Sequence, residues 1–462
     1  MFTFYDHDGN GSRRSFLRVG ASSLVASLGL SGLPLVKALT EPDSPLLKGR
    51  SVIFLFLHGG PSQIETFDPK MDMPEGIRSA TGSVRTKTPG IDFGGSFSKL
   101  AAISDRFSIV RSFATGDGNH DIKPIVGRDT FGANLGSIFA RLSGTNHPVT
   151  GIPTNIMLFP QSVDPSTQAG EMTFGKFTAT GPLNPSFAPF DPAGSGGDLR
   201  QLTNNVPRAR LESRRLMSLE FDKIKHSLDS ISGDNPFRDQ AFRLLSGGLE
   251  EAFDIRRESP HLVDRYDTAP LVRPDSINKK WNNHKNYADN AKSLGKLLLL
   301  ARRLCERGAG FVTVTTNFVW DMHADINNAT MTEGMSYMGG PLDYALSALV
   351  EDLDARGLSD KVLVVACGEM GRTPKINANG GRDHWGGLAP LFIYGGGTNP
   401  GQVIGRSAKD AGSPADTPVG IKDLIATILE RTVDTGQVRL IQNLQPEFSQ
   451  IMTTWKPIPG LV

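Results

Sequence analysis

Residues 51–57 read Ser-Val-Ile-Phe-Leu-Phe-Leu, between a basic entry at Lys48, Gly49 and Arg50 and a sharp exit at His58, Gly59, Gly60 and Pro61. An apolar run with no polar residue on alternate positions belongs to a strand covered on both faces, which is how a central parallel strand reads. Further strand candidates lie at 107–112, 154–159, 311–316, 361–366 and 390–394. Helical periodicity alternates with them. Tyr287, Ala291, Leu294, Leu298, Ala301 and Cys305 share one stripe of a helix over 287–307, with Gly308 where a helix stops. Leu342, Leu346, Leu349 and Leu353 repeat the pattern up to Gly357. Helix, strand, helix, strand in that order make a βαβ unit, so the expected class is α/β, with a mostly parallel central sheet.

The chain has 462 residues, enough for one large core. Lys and Arg number 49 against 48 Asp and Glu, a formal charge of +1, so no global field recruits nucleic acid or an anionic membrane. Two cysteines exclude a disulfide framework. Cys305, on the helical stripe, and Cys367, at the end of a strand run, are expected to be buried free thiols. The segment 161–206 is long, polar and rich in Gly, Pro, Ser and Thr, and the chain from 208 to 253 is charged and helical. The expected organisation is one domain over 39–462 with a helical insertion near 205–285, and a functional loop over 161–206.

Arg13 and Arg14 precede a weakly apolar run, 19–36, that ends at Val36-Lys37-Ala38. This resembles a twin-arginine export signal over 1–38, with the mature chain starting near Leu39. Gly29, Ser31, Gly32 and Pro34 make the run too polar for a stable membrane anchor. The translocase that reads such signals is therefore the expected partner, and the periplasm or extracellular space the expected destination.

Three short runs concentrate the chemistry. Trp320-Asp321-Met322-His323 follows the strand candidate 311–316; Gly368-Glu369-Met370-Gly371-Arg372-Thr373-Pro374 follows 361–366; Gly381-Arg382-Asp383-His384-Trp385 precedes 390–394. Carboxylates beside imidazoles just past strand ends suit a divalent-metal site at the edge of an open sheet. The same residues also fit a solvated turn at 320–323 and a local Glu369–Arg372 ion pair. His58 closes the first strand, as a ligand or as a hydrogen-bonded turn histidine, and the polar cluster from Thr115 to His120 and Asp121 closes the second.

Together with Gly59-Gly60-Pro61-Ser62-Gln63 and Thr66-Phe67-Asp68-Pro69-Lys70, these motifs resemble the domain-of-unknown-function family 1501, abundant in planctomycete-type bacteria and placed in the alkaline phosphatase/sulfatase superfamily. The resemblance spans essentially the whole mature chain. It implies an alkaline-phosphatase-like three-layer α/β/α fold and a divalent metal, Zn, Ca, Mn or Mg. His58 stands where the superfamily has a metal-binding Asp, Met370 where it has a ligating imidazole, and His384 resembles its final histidine ligand. Its nucleophile would lie after the second strand, where Thr115 is the candidate.

The expected ligands are Asp321, His323, Glu369, Asp383 and His384, completed by His58 or His120, with Arg372 or Arg382 meeting an oxyanion. The reaction expected from this set is hydrolysis of sulfate or phosphate esters, on small molecules or polysaccharides, by metal-activated water. The alternative is an exported binding or scaffold protein that keeps the fold and pocket without catalysis.

Overall fold

The computed structural model of the chain describes residues 46–193, 249–441 and 446–462. Seven strands form the central sheet: β1 (Ser51–Phe56), β2 (Ser108–Val110), β3 (Asn155–Leu158), β4 (Phe311–Thr315), β5 (Val362–Cys367), β6 (Leu391–Gly395) and β7 (Val403–Ile404). Their order across the sheet is β7-β2-β6-β5-β1-β4-β3. All neighbours pair in parallel except at β6, which runs against both β5 and β2. β1 lies inside the sheet between β4 and β5, and every residue from Val52 to Phe56 is buried, as its unbroken apolar run requires.

Alternate residues of each strand feed two separate cores. Ile53, Leu55, Val312, Val314 and Val364 pack with helices α2 (His284–Glu306) and α3 (Met331–Ala355). Val52, Phe54, Phe56, Leu363 and Val365 pack with α1 (Leu135–Ser143) and α4 (Ile421–Thr432) on the other face. The result is a three-layer α/β/α arrangement. Full burial of side chains such as Phe54 and Leu298 contributes about 1.5–3 kcal/mol each, which is what holds the layers together.

α3 starts at Met331, well before the stripe that begins at Leu342. Pro341 sits inside the helix, where its ring forfeits one backbone hydrogen bond. Burial of Met335, Met338 and Leu342 against the α2 layer outweighs that loss. The start itself carries a local signal: the Thr330 side chain accepts the Glu333 N–H, a capping pattern.

The expected export signal over 1–38, the end of the polar segment (194–206) and residues 205–248 of the expected insertion lie outside the described residues. The remainder of that insertion forms short helices, Leu249–Phe253 and Pro260–Arg265, and 3-10 turns. Glu258 docks it by pairing with Arg302 (3.0 Å), Arg303 and Arg356 (3.2 Å), and the Tyr266 hydroxyl donates to Asp352 (3.0 Å). Cys305 and Cys367 are buried and free, and burial pushes the Cys305 thiol up to about 12. Among the described residues, no helix is long and apolar enough to cross a membrane.

α3 also carries the buried Asp343, whose carboxylate accepts the N–H groups of Lys99 (2.9 Å) and Leu100 (2.8 Å). Burial outweighs those bonds and raises its pKa from 3.8 to about 6. The folded state therefore holds this proton more tightly than the unfolded chain, and stability falls as pH rises from about 4 to about 6. Comparing native protein with Asp343→Asn in urea melts, the native chain should lose on the order of 3 kcal/mol relative to the variant between pH 4 and pH 7. A difference that does not change with pH would remove this assignment.

Candidate metal centre

Strand register brings the chemistry to one edge. Phe56 of β1 pairs with Thr315 of β4 and with Cys367 of β5, so His58, the 316–323 loop, Gly368 and Glu369 emerge side by side. Leu391 opens β6 and pairs with Cys367 and Val110. Because β6 is reversed, the loop preceding it, with Asp383 and His384, arrives at that same edge. β2 also ends there and leads to Thr115 and His120.

The exits are tightly stacked. Gly59 has φ 111°, and a Cβ on it would lie 2.6 Å from the Asp321 nitrogen, so only glycine lets the 320–321 backbone cross it. The Trp320 N–H donates to the His58 carbonyl at 3.1 Å and fixes that crossing. At the exit of β4, Asn317 (φ 60°) and Phe318 (φ 62°) are both left-handed, a costly conformation for two consecutive non-glycine residues.

Three ligand atoms converge above these exits. Asp321 Oδ1 lies 3.1 Å from His384 Nε2 and 3.4 Å from His120 Nε2, and the two imidazole nitrogens are 3.0 Å apart. Donors arranged tetrahedrally about 2.1 Å from a cation sit roughly 3.4 Å from one another, so this His/Asp set has the spacing of a metal site. Its supports are in place behind it. His120 Nδ1 lies 3.0 Å from Glu369, whose carboxylate also accepts the Gly59 N–H. His323 Nε2 (3.1 Å) and the Asn328 amide (2.9 Å) occupy the second oxygen of Asp321. Asn328 is a contributor that no sequence signal distinguished from its neighbour Asn327.

The electrostatics follow from these contacts. Burial is the largest single effect on Asp321 and would raise its pKa, but Arg372 and three imidazoles overcome it and hold the carboxyl well below the usual range. For His120, burial works against the charged form, yet hydrogen bonds to Asp321 and Glu369 win and raise its pKa. His323 is raised chiefly by its hydrogen bond to Asp321.

The remaining expected residues fall elsewhere. His120, expected as a catalytic group or a completing ligand, belongs to the cluster itself, while Glu369 and His323 stand behind it. Asp383 faces solvent and accepts the Asn377 amide at 2.8 Å, so it is not in the cluster. Arg372 and Arg382 are 0% exposed, which corrects their assignment to an oxyanion. Arg372 donates to Asp321 (2.6 Å) rather than pairing with Glu369, and to the carbonyls of Gly59, Gly60 and Trp320. Arg382 pairs with Glu65 at 2.9 Å and donates to the carbonyls of Ile77, Arg78 and Pro374.

His58 is fully buried among Phe56, Phe174, Phe177 and Phe318, with both ring nitrogens unpartnered among the described residues, and burial lowers its pKa. Thr115 is buried with its hydroxyl unpartnered among the described residues, and its N–H donates to the Gly386 carbonyl at 3.1 Å. Met370 is buried and packs against Gly60, where a Cβ would meet its side chain.

Comparison with known proteins gives one family and several solved structures. The sequence model of a family described as "Protein of unknown function (DUF1501)" matches residues 49–443. Curated proteins give no match. Among solved structures, the chain is similar to Ps i-CgsB in complex with k-i-k-neocarrahexaose, at 10% identity over 87% of this chain and 76% of that one, TM-score 0.30. It is also similar to the phosphonate monoester hydrolase SpPMH from Silicibacter pomeroyi, at 12% identity over 83% and 73%, TM-score 0.30. The lipoteichoic acid synthase LtaP from Listeria monocytogenes matches at 9% identity over 83% and 71%, TM-score 0.27. Similarity at this level decides nothing about the chemistry of the site.

Glu65 and Arg382 are both 0% exposed and brace the loop that carries His384. Removing one partner of a buried pair strands the other charge, so Glu65→Ala should cost about 3–5 kcal/mol in a denaturant melt. A loss below about 1 kcal/mol, the worth of a surface pair, would show that the brace is not needed.

Proposed function

The chain belongs to the DUF1501 family, and from the site it carries we propose that it is an exported, metal-dependent hydrolase of sulfate or phosphate esters. The observation that supports this reading is the convergence of His120, Asp321 and His384, backed by Glu369, His323 and Asn328. Two imidazoles and one carboxylate suit Zn better than Ca, Mg or Mn, which favour oxygen ligands. His120, Asp321 and His384 would hold a divalent cation, which would supply Lewis-acid chemistry and lower the pKa of water toward neutral.

The side chains have distinct tasks in this reading. In this reading His120 donates its Nδ1–H to Glu369, which leaves Nε2 as an acceptor facing the cluster. Arg372 keeps Asp321 ionised and fixes its rotation. Among the described residues the Thr115 hydroxyl has no hydrogen-bonded base, so this reading assigns the attack to water. The run from Arg13 through Ala38 is the basis for proposing export through the twin-arginine translocase.

One observation favours a second reading, an exported binding protein without catalysis. Arg372 and Arg382, the arginines of the two motifs, are consumed by internal acceptors and meet no substrate oxyanion. Turnover separates the readings, since a binding protein holds metal and anion without releasing product.

Purified protein should contain a stoichiometric divalent metal and hydrolyse aryl sulfates or phosphates, while Asp321→Ala and His384→Ala lose both metal and turnover. Glu369→Gln should weaken metal binding roughly 10–100-fold. Protein with neither metal by elemental analysis nor activity on the ester panel would end the hydrolase reading. For export, replacing Arg13 and Arg14 together by Lys should trap the full-length chain in the cytoplasm of a bacterial host. Unchanged appearance of the shortened chain outside it would refute that route.

A further inference from the structure

Among the described residues, a concavity of about 660 Å³ opens near the His/Asp cluster. Gln168, Glu171, Met172 and Thr173 line it from the loop after β3, Asn286 from the first turn of α2, and Asn317 from the exit of β4. Two of its walls continue directly into the metal centre. Asn317 lines the cavity, and the next residue, Phe318, puts its ring 4.9 Å from His120 and 5.0 Å from His58. Thr173 lines it, and the next residue, Phe174, stacks on Phe318 at 4.4 Å and lies 5.1 Å from His120. The cavity is thus one residue along the chain from each of the two rings that touch His120.

The walls are held in shape before any ligand arrives. The Asn317 carboxamide accepts the Glu171 N–H (2.6 Å) and donates to the Ala169 carbonyl (3.0 Å). The Gln168 N–H donates to Asp289 (2.6 Å), and the Thr173 N–H donates to the Glu171 carboxylate (2.6 Å). The Gln168 and Asn286 carboxamides and the Thr173 hydroxyl make no side-chain hydrogen bond within the described residues, so they are open to a ligand.

The chemistry of the lining selects what can bind. It contains no Lys, Arg or His, and its one carboxylate, Glu171, repels an anion. Amides and a hydroxyl both donate and accept, which matches a group bearing several hydroxyls. Met172, 36% exposed, offers an apolar face for C–H groups. The cavity volume lies within the range of small-ligand sites.

We infer that this cavity is a subsite for an uncharged saccharide unit, joined to the ester group presented to the metal centre. The inference rests on the ester-hydrolase reading for what occupies the centre, but occupancy of the cavity is measured without turnover. Titration calorimetry on the full chain, with unsubstituted hexasaccharides of galactose, glucose and mannose and with inorganic sulfate, tests it directly.

At least one neutral hexasaccharide should bind, and the double substitution Gln168→Ala/Asn286→Ala should weaken it roughly 30-fold, the effect of two lost hydrogen bonds of ordinary strength. Metal content and melting temperature of the variant should match the native protein, since both residues lie at the surface of the wall. No binding by any of the three sugars overturns the inference, as does binding that ignores the double substitution. A chain that binds sugar through these residues yet holds no metal and cleaves no ester keeps this subsite and loses the hydrolase reading.

Discussion

Arg372 is a fully buried cation, and the arrangement of the sheet edge depends on what it touches. Its guanidinium reaches the carbonyls of Gly59 and Gly60 after β1, the Trp320 carbonyl after β4, the Arg382 carbonyl before β6 and the Asp321 carboxylate. Taking such a charge out of water costs several kcal/mol, and the cost is offset only where acceptors surround it and one of them is anionic. Loops from three parts of the chain must therefore meet around one side chain. The same demand explains why this arginine cannot also hold a substrate.

Asp321 inherits its state from that contact. One oxygen is shared between Arg372 and the two cluster imidazoles, and the other is taken by His323 and Asn328, so the carboxylate is ionised and unable to rotate. Around it the environment grades from wet to dry. The His384 side chain is 36% exposed, His120 is half-buried, and His58 lies in a cage of phenylalanine rings with no partner for either nitrogen among the described residues. A buried imidazole without a hydrogen bond is costly, which makes His58 the polar group of the region whose presence the surrounding protein least explains.

The reversed direction of β6 is what makes the third motif part of the site. In an all-parallel sheet, a loop that precedes a strand opens on the opposite edge from loops that follow strands. Pairing of Leu391 with both Cys367 and Val110 puts the start of β6 at the carboxyl edge and delivers His384 to Asp321. Strand direction is not written in the run 390–394, whose apolar pattern is the same in either orientation. β7 also left no trace in the sequence, because two residues, Val403 and Ile404, are too few to show a period.

The sequence alone determined the class of the fold and the elements that build it. The buried run at 51–57, five further strand candidates and two helical stripes all correspond to observed elements, because apolar periodicity is a local property of the chain. It also marked the loops that carry the chemistry, since acidic and imidazole groups at strand ends stand out from their neighbours. Which of those groups meet was decided by the tertiary structure. Asp321 and His384 are separated by 63 residues, and His120 and Glu369 by 249. Over such distances the local pattern of Gly-Arg-Asp-His carries no direction, so only packing could turn His384 into the cluster and Asp383 out of it. Burial likewise made internal braces of Arg372 and Arg382, because an arginine is read as an anion binder only while water can reach it.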